Sequence, residues 1–148
     1  MKQDYDMLKL ENQLCFPLYA CSKEIIRKYK PLLDELELTY TQYITMMVLW
    51  EKKEMNVKKL GNILFLDSGT LTPVLKKLEQ KGYIKRNRAT DDERNLIIKI
   101  TEKGINLRKK AKDIPEEISK CVNLTQEEAV SLYKILYKIL DTVNSERK

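Results

Sequence analysis

Apolar positions along the chain recur at two periods, first 3.6 and then 2, and the switch between them organises everything else. Leu8, Leu14, Leu18, Ile25, Ile26 and Tyr29 follow helical spacing and predict a helix over residues 8–30. Pro17 lies within it. Proline suits a first helical turn and disrupts an interior, so the helix starts or kinks close to Cys15-Phe16-Pro17. Pro31 then ends it or begins a short second helix carrying Leu32, Leu33 and Leu36. Thr41 to Trp50 is dense in large apolar side chains, including Tyr43, Ile44, Met46, Met47, Val48 and Leu49, which predicts a fully buried helix.

Val57, Leu60, Ile63 and Leu64 mark a short helix, and Leu66-Asp67-Ser68-Gly69-Thr70 reads as a turn with an N-cap. The helix after it has Leu71, Val74, Leu75 and Leu78 on one face, polar residues elsewhere, and Gly82 as its stop. Two short helices joined by a tight turn, the second polar outside, form a helix-turn-helix pattern. Directly after Gly82 the period becomes 2: residues 83–88 and 96–100 are strand candidates around a charged tip, 89–95. A hairpin following a recognition helix makes the module a winged helix. Thr101 caps the next helix, which runs through Arg108-Lys109-Lys110, and Pro115 interrupts or restarts it. Thr125-Gln126-Glu127-Glu128 has capping-box spacing, and Ala129, Leu132, Tyr133, Leu136, Tyr137, Leu140 and Val143 stripe a last helix.

The expected fold is therefore mainly α with a small β-hairpin wing. Residues 1–148 form a single domain, with the winged helix-turn-helix over 41–101. The helices at 1–40 and 102–148 are not needed by the winged helix. They pack within one subunit or build a homodimer. The two-fold habit of helix-turn-helix proteins favours the dimer.

Charge sharpens the picture. The whole chain has 28 basic and 22 acidic residues, net +6, and residues 56–99 alone carry 10 basic and 5 acidic side chains, net +5. A basic segment inside a near-neutral scaffold suits a polyanion. Lys-rich helices are also commonly basic for solvation alone, so the order helix, helix, hairpin is the stronger signal. Ser68, Thr70 and Thr72 fall in the first turns of the recognition helix, where hydroxyls and N–H groups suit phosphates and base edges. Lys76 and Lys77 fit phosphates. Arg86, and more weakly Arg88, lie on the wing strand. Arg94 at the wing tip suits a narrow minor groove, with Asp92 placed to hold it.

With no His among 148 residues, Ser-His-Asp and Cys-His catalysis and all His-containing metal sites are excluded. The three cysteines, Cys15, Cys21 and Cys121, have no CxxC spacing and fit poorly with a secreted disulfide framework. No signal peptide or membrane span is visible, so a cytoplasmic protein with reduced thiols and no cofactor is expected. Sulfur is left as the reactive element. Cys15 is either an inert core thiol or, at a helix N-terminus, a thiolate stabilised by free N–H groups. Cys21 lies six residues on, about 9 Å along a continuous helix. That is too far for a bridge to Cys15, so Cys21 is expected to be a small packing residue.

Several stretches carry a resemblance: Gln13-Leu14-Cys15-Phe16 with Leu18-Tyr19-Ala20; Tyr29-Lys30-Pro31-Leu32-Leu33-Asp34; Leu66-Asp67-Ser68-Gly69-Thr70-Leu71-Thr72-Pro73; and Asp92-Glu93-Arg94. Over residues 8–143 the chain resembles MarR-type winged-helix repressors, and the Cys15 context narrows this to the organic hydroperoxide-sensing OhrR branch. That resemblance implies a homodimer on a pseudo-palindromic double-stranded operator. Cys15 matches the sensing cysteine, which peroxide converts to sulfenic acid. Release of DNA then follows a mixed disulfide with a low-molecular-weight thiol or an inter-subunit disulfide. Tyr19 and Tyr29 match the tyrosines that hydrogen-bond the sensor across the dimer, Tyr40 matches a further one, and Cys121 stands near the resolving cysteine of the two-cysteine members. The alternatives are a MarR-type regulator of virulence, biofilm or resistance genes that answers another oxidant or ligand, a thiol peroxidase, and a DNA-compacting protein.

Overall fold

The computed structural model describes residues 4–88 and 96–145. Its elements are α1 Cys15–Asp34, α2 Tyr40–Lys52, β1 Glu54–Asn56, α3 Val57–Leu64, α4 Ser68–Gln80, β2 Ile84–Arg88, β3 Leu96–Ile100, α5 Glu102–Ala111, α6 Ile114–Val122 and α7 Gln126–Ser145. They fall into two compact units, Met1–Ile114 and Pro115–Lys148.

The first helix is shorter at its start and longer at its end than its apolar spacing predicts. Asp6–Leu8 and Leu10–Asn12 are 3₁₀ turns instead of helix. Side-chain amides explain this: Asn12 donates to the Asp6 carbonyl (2.7 Å) and Gln13 to those of Met7 (2.6 Å) and Lys9 (2.8 Å). Such local bonds offer the backbone an alternative to the helical ladder. α1 then starts at Cys15, which places Pro17 in the first turn, where the N–H it lacks has no intrahelical partner. Pro31 neither ends α1 nor opens a second helix. It lies in the last turns, where its missing N–H frees only the carbonyl of the exposed Arg27 to solvent. A Schellman pair closes the helix: Leu38 N–H donates to Leu33 (3.1 Å) and Glu37 N–H to Asp34 (3.1 Å), with Glu37 at φ 56°.

Thr39 opens α2 through a capping box with Gln42 that the chain's apolar pattern does not reveal. The helix buries Gln42, Tyr43, Thr45, Met46 and Leu49, and between Thr41 and Trp50 only Met47, 43% exposed, is open to solvent, so the expected full burial fails at that position. Thr45 satisfies its buried hydroxyl on the Thr41 carbonyl (2.7 Å).

The helix-turn-helix follows the expected order. Asn56 caps α3, accepting from Lys58 N–H (2.8 Å). Phe65 takes a left-handed conformation (φ 55°), and Leu66 N–H turns back to the Gly61 carbonyl (3.0 Å). Any Cβ on Gly61 would stand 2.8 Å from the Leu66 carbonyl oxygen, so the turn needs glycine. Asp67 caps α4 on Thr70 N–H (2.8 Å), and Leu71, Val74, Leu75 and Leu78 are buried. Gly82, at φ 83°, ends the helix as expected.

β2 and β3 form the wing hairpin, in register Ile84↔Ile100 to Arg88↔Leu96. The three-residue β1 adds to the other side of β3, giving sheet order β1-β3-β2, all antiparallel. Thr101 caps α5 on Gly104 N–H (3.1 Å).

In the second unit Pro115 is the second residue of α6, so it restarts a helix after α5 has ended. Thr125 and Glu128 form the expected capping box, with reciprocal bonds of 3.0 and 3.1 Å. α7 contains no buried residue. No helix among the described residues is long and apolar enough to cross a membrane.

Candidate sensing pocket and nucleic-acid interface

Cys15 is the first residue of α1, and its thiol is exposed. Position follows from sequence: the 3₁₀ turns stop at Asn12, Gln13 is extended, and the helix begins two residues later. The first N–H groups of a helix have no intrahelical acceptor, and Cys15 stands at that end of α1. Tyr19 lies one turn further along α1, 62% exposed, with the Lys23 ammonium 5.7 Å from its ring centre.

Tyr29 and Tyr40 come together elsewhere. Their ring centres are 4.9 Å apart, at the far end of α1 and the start of α2. Fourteen positions of continuous helix separate Cys15 from Tyr29, about 21 Å of rise. A Tyr29 hydroxyl therefore meets a Cys15 sulfur only from another chain. Of the four expected sensing residues the structure thus brings together Tyr29 and Tyr40, and leaves Cys15 and Tyr19 apart from them in the opening turns of α1.

A third aromatic adjoins this pair and is not among the sensing residues expected from the sequence. Tyr43, 2% exposed, has its ring centre 5.8 Å from Tyr29 and 6.3 Å from Tyr40. Its i, i+3 relation to Tyr40 was the available signal. Within an apolar run the ring reads as core, which by burial it is. Burial first, then the neighbouring Tyr40 and Tyr43, push the Tyr29 hydroxyl up to about 12. Burial also raises Tyr40, and burial followed by Tyr40 raises Tyr43. All three phenols therefore keep their protons near neutral pH and remain hydrogen-bond donors.

The other thiols are also exposed. Cys21 projects from the same helix as Cys15, not into a packed interior, which corrects its expected role as a packing residue within the chain. Cys121 lies on α6 in the second unit. No cluster of Cys, Asp or Glu among the described residues is placed to hold a metal ion.

On α4, Ser68, Thr70, Thr72, Lys76 and Lys77 are all exposed on the faces opposite the buried leucines. The Thr72 hydroxyl donates to the Ser68 carbonyl (2.7 Å), which leaves its lone pairs outward. Arg86 is engaged within the chain: its guanidinium donates to Glu79 Oε1 (2.9 and 3.1 Å) and its backbone N–H to Glu79 Oε2 (3.0 Å). This clamp fixes the wing strand to α4, and the Arg86 bonds hold the Glu79 carboxyl below its ordinary value. Asp92 and Arg94 lie outside the described residues, as does the side chain of Arg88.

Residues 27–111 match the family described as Transcriptional regulator SarA/Rot. An organic hydroperoxide resistance transcriptional regulator of Bacillus subtilis is 48% identical over 146 residues, covering 99% of either chain. The HTH-type transcriptional regulator SarZ of Staphylococcus epidermidis is 50% identical over 127 residues, 86% of each. Among solved structures, overoxidized AbfR bound to DNA superposes with a TM-score of 0.76 at 34% identity, covering 95% of this chain and 98% of that one. AbfR is a Staphylococcus epidermidis protein.

Proposed function

The chain belongs to the SarA/Rot transcriptional regulators, MarR-type winged-helix proteins, on the organic hydroperoxide-sensing branch, and on that premise we propose that it is a DNA-binding repressor released from its operator when Cys15 is oxidised. The observation that carries this reading is the split site: a thiol at the first position of α1, and Tyr29, 14 residues further along the same helix, paired with Tyr40 at the start of α2. Such halves complete each other only between two chains. A two-fold homodimer supplies both halves twice, and it presents two recognition helices to a pseudo-palindromic double-stranded site.

The chemistry is a two-electron oxidation of sulfur. The Cys15 thiolate attacks the terminal peroxide oxygen, an S–O bond forms, and the O–O bond breaks. The alkoxide leaves, takes a proton from solvent and becomes an alcohol, while Cys15 becomes sulfenic acid. Tyr19 and Tyr29 of the partner subunit donate hydrogen bonds to the thiolate, and Tyr40, paired with Tyr29, completes the pocket. The sulfenic acid then condenses with a low-molecular-weight thiol or with Cys121 of the partner subunit, losing water. Each regulator is oxidised once per signal, which is sensing and not turnover.

Ser68, Thr70 and Thr72 address the major groove, Lys76 and Lys77 hold phosphates, and Arg94, steadied by Asp92, enters the minor groove at the wing tip. Arg86 contributes through Glu79, by setting the angle of the wing.

A gel shift on the DNA upstream of the chain's own gene tests the reading. Cumene hydroperoxide is expected to release the wild-type protein at lower dose than hydrogen peroxide, and Cys15→Ser to stay bound. A Cys15→Ser protein that still releases would end the proposal. A second reading is the same sulfur switch serving another oxidant, in a chain that is also 46–50% identical to HTH-type transcriptional regulators named SarZ. Equal release by hypochlorite would favour it.

A further inference from the structure

Beneath the tyrosine pair runs an aromatic column that ends in a hydrogen bond. Tyr43 lies under both Tyr29 and Tyr40, at 5.8 and 6.3 Å between ring centres. Seven residues along the same face of α2, the Trp50 ring meets Tyr43 edge-on, at 6.3 Å and 74°. The Trp50 indole N–H donates to the Gly104 carbonyl on α5 at 2.8 Å. That last bond holds the indole in one orientation, since an indole has a single donor.

Each contact limits the next. Tyr43 is 2% exposed, so its ring has no solvent-facing alternative to the place it occupies. Edge and tilted aromatic contacts favour particular ring orientations over others, beyond what burial alone selects. Tyr29 and Tyr40, by contrast, are only half-buried and come from different helices. Their shared neighbour is Tyr43.

The geometry points to Tyr43 as a positioning residue of the sensing pocket: its ring, steadied by the Trp50–Gly104 bond, sets the directions of the Tyr29 and Tyr40 hydroxyls towards the thiol they serve. This rests on the proposed sensing role of Cys15 and extends the site to residues that touch no sulfur. The phenol protonation described above fits it, because a donor must be both protonated and aimed.

The experiment uses the full chain carrying Cys21→Ser and Cys121→Ser, so that alkylation by iodoacetamide reports on Cys15 alone. The rate is followed against pH, with thermal unfolding and operator binding of the reduced protein as checks on folding. Tyr43→Leu is expected to move the alkylation midpoint upward by about one pH unit, a tenfold loss of thiolate at a fixed pH below it. Tyr43→Phe, which keeps the ring, is expected to match the parent. Trp50→Phe, which removes the donor to Gly104, is expected to fall between. A folded Tyr43→Leu protein with the parent's profile would overturn the inference, and so would equal shifts in Tyr43→Leu and Tyr43→Phe. A parent protein with an ordinary thiol profile would instead overturn the sensing role itself. The two failures are thus distinguishable.

Discussion

Tyr29 shows how one side chain links the site to stability. In the unfolded chain its hydroxyl loses a proton near pH 10, whereas in the fold it holds that proton to about 12, chiefly because it is buried. The unfolded state therefore sheds the proton first as pH rises. Stability tied to Tyr29 is complete below about pH 10 and declines between about pH 10 and 12. Thermal unfolding across that range is expected to show Tyr29→Phe losing less stability than wild type, and parallel curves would contradict the assignment. Glu79 works in the opposite sense. Arg86 holds its carboxyl low, so the clamp is intact above the ordinary carboxylate range and weakens as the pH falls below it. At this scale the sequence was legible where a residue had a distinctive neighbour pattern. Cys15 stood out through its flanking tyrosines and Pro17, whereas Tyr43 was hidden because a buried tyrosine in an apolar run reads as core.

Elements were legible in proportion to their length and period. The recognition helix, the hairpin, Gly82 and the Thr125 capping box declared themselves through spacing and caps that act locally. β1 did not, because three residues show no period and its pairing with β3 is a long-range choice. The 3₁₀ turns before α1 escaped for another reason: Asn12 and Gln13 bond backward to carbonyls, a competition that apolar spacing does not register. Two predictions belong here. Gly61→Ala forces a Cβ against the Leu66 carbonyl, 2.8 Å away, inside the turn that joins α3 to α4. We expect it to cost about 1–3 kcal/mol in chemical denaturation and to weaken operator binding. A neutral effect would mean that the turn relaxes. On the wing, Arg94→Ala is expected to weaken operator binding several-fold without changing the unfolding temperature. Unchanged affinity would remove the wing tip from the mechanism.

At the level of the whole molecule, the exposed apolar surface marks what one chain leaves unfinished. No residue of α7 is fully buried, and Ile135, Tyr133 and Val143 are 56–63% exposed; near the other terminus Met7, Leu8 and Leu14 are 76–82% exposed. Surface of that kind at both ends suits a partner of the same sequence. This is the homodimer that the split between Cys15 and Tyr29 also requires. Sedimentation of the reduced protein is expected to give a dimer, and a stable monomer would separate the two half-sites for good. Peroxide-treated protein run on non-reducing gels is expected to show a covalent dimer that Cys121→Ser abolishes; its persistence would reassign the second sulfur. The central claim is that a single oxidation at Cys15 governs release from DNA. Fluorescence anisotropy of a labelled operator, with intact-protein mass spectrometry on the same cumene hydroperoxide titration, tests it most directly. The account predicts that anisotropy falls in step with the oxidation of Cys15, seen as one added oxygen or as the thiol adduct or inter-subunit disulfide that follows. Release that precedes Cys15 oxidation, or full oxidation on a protein still bound, would contradict it.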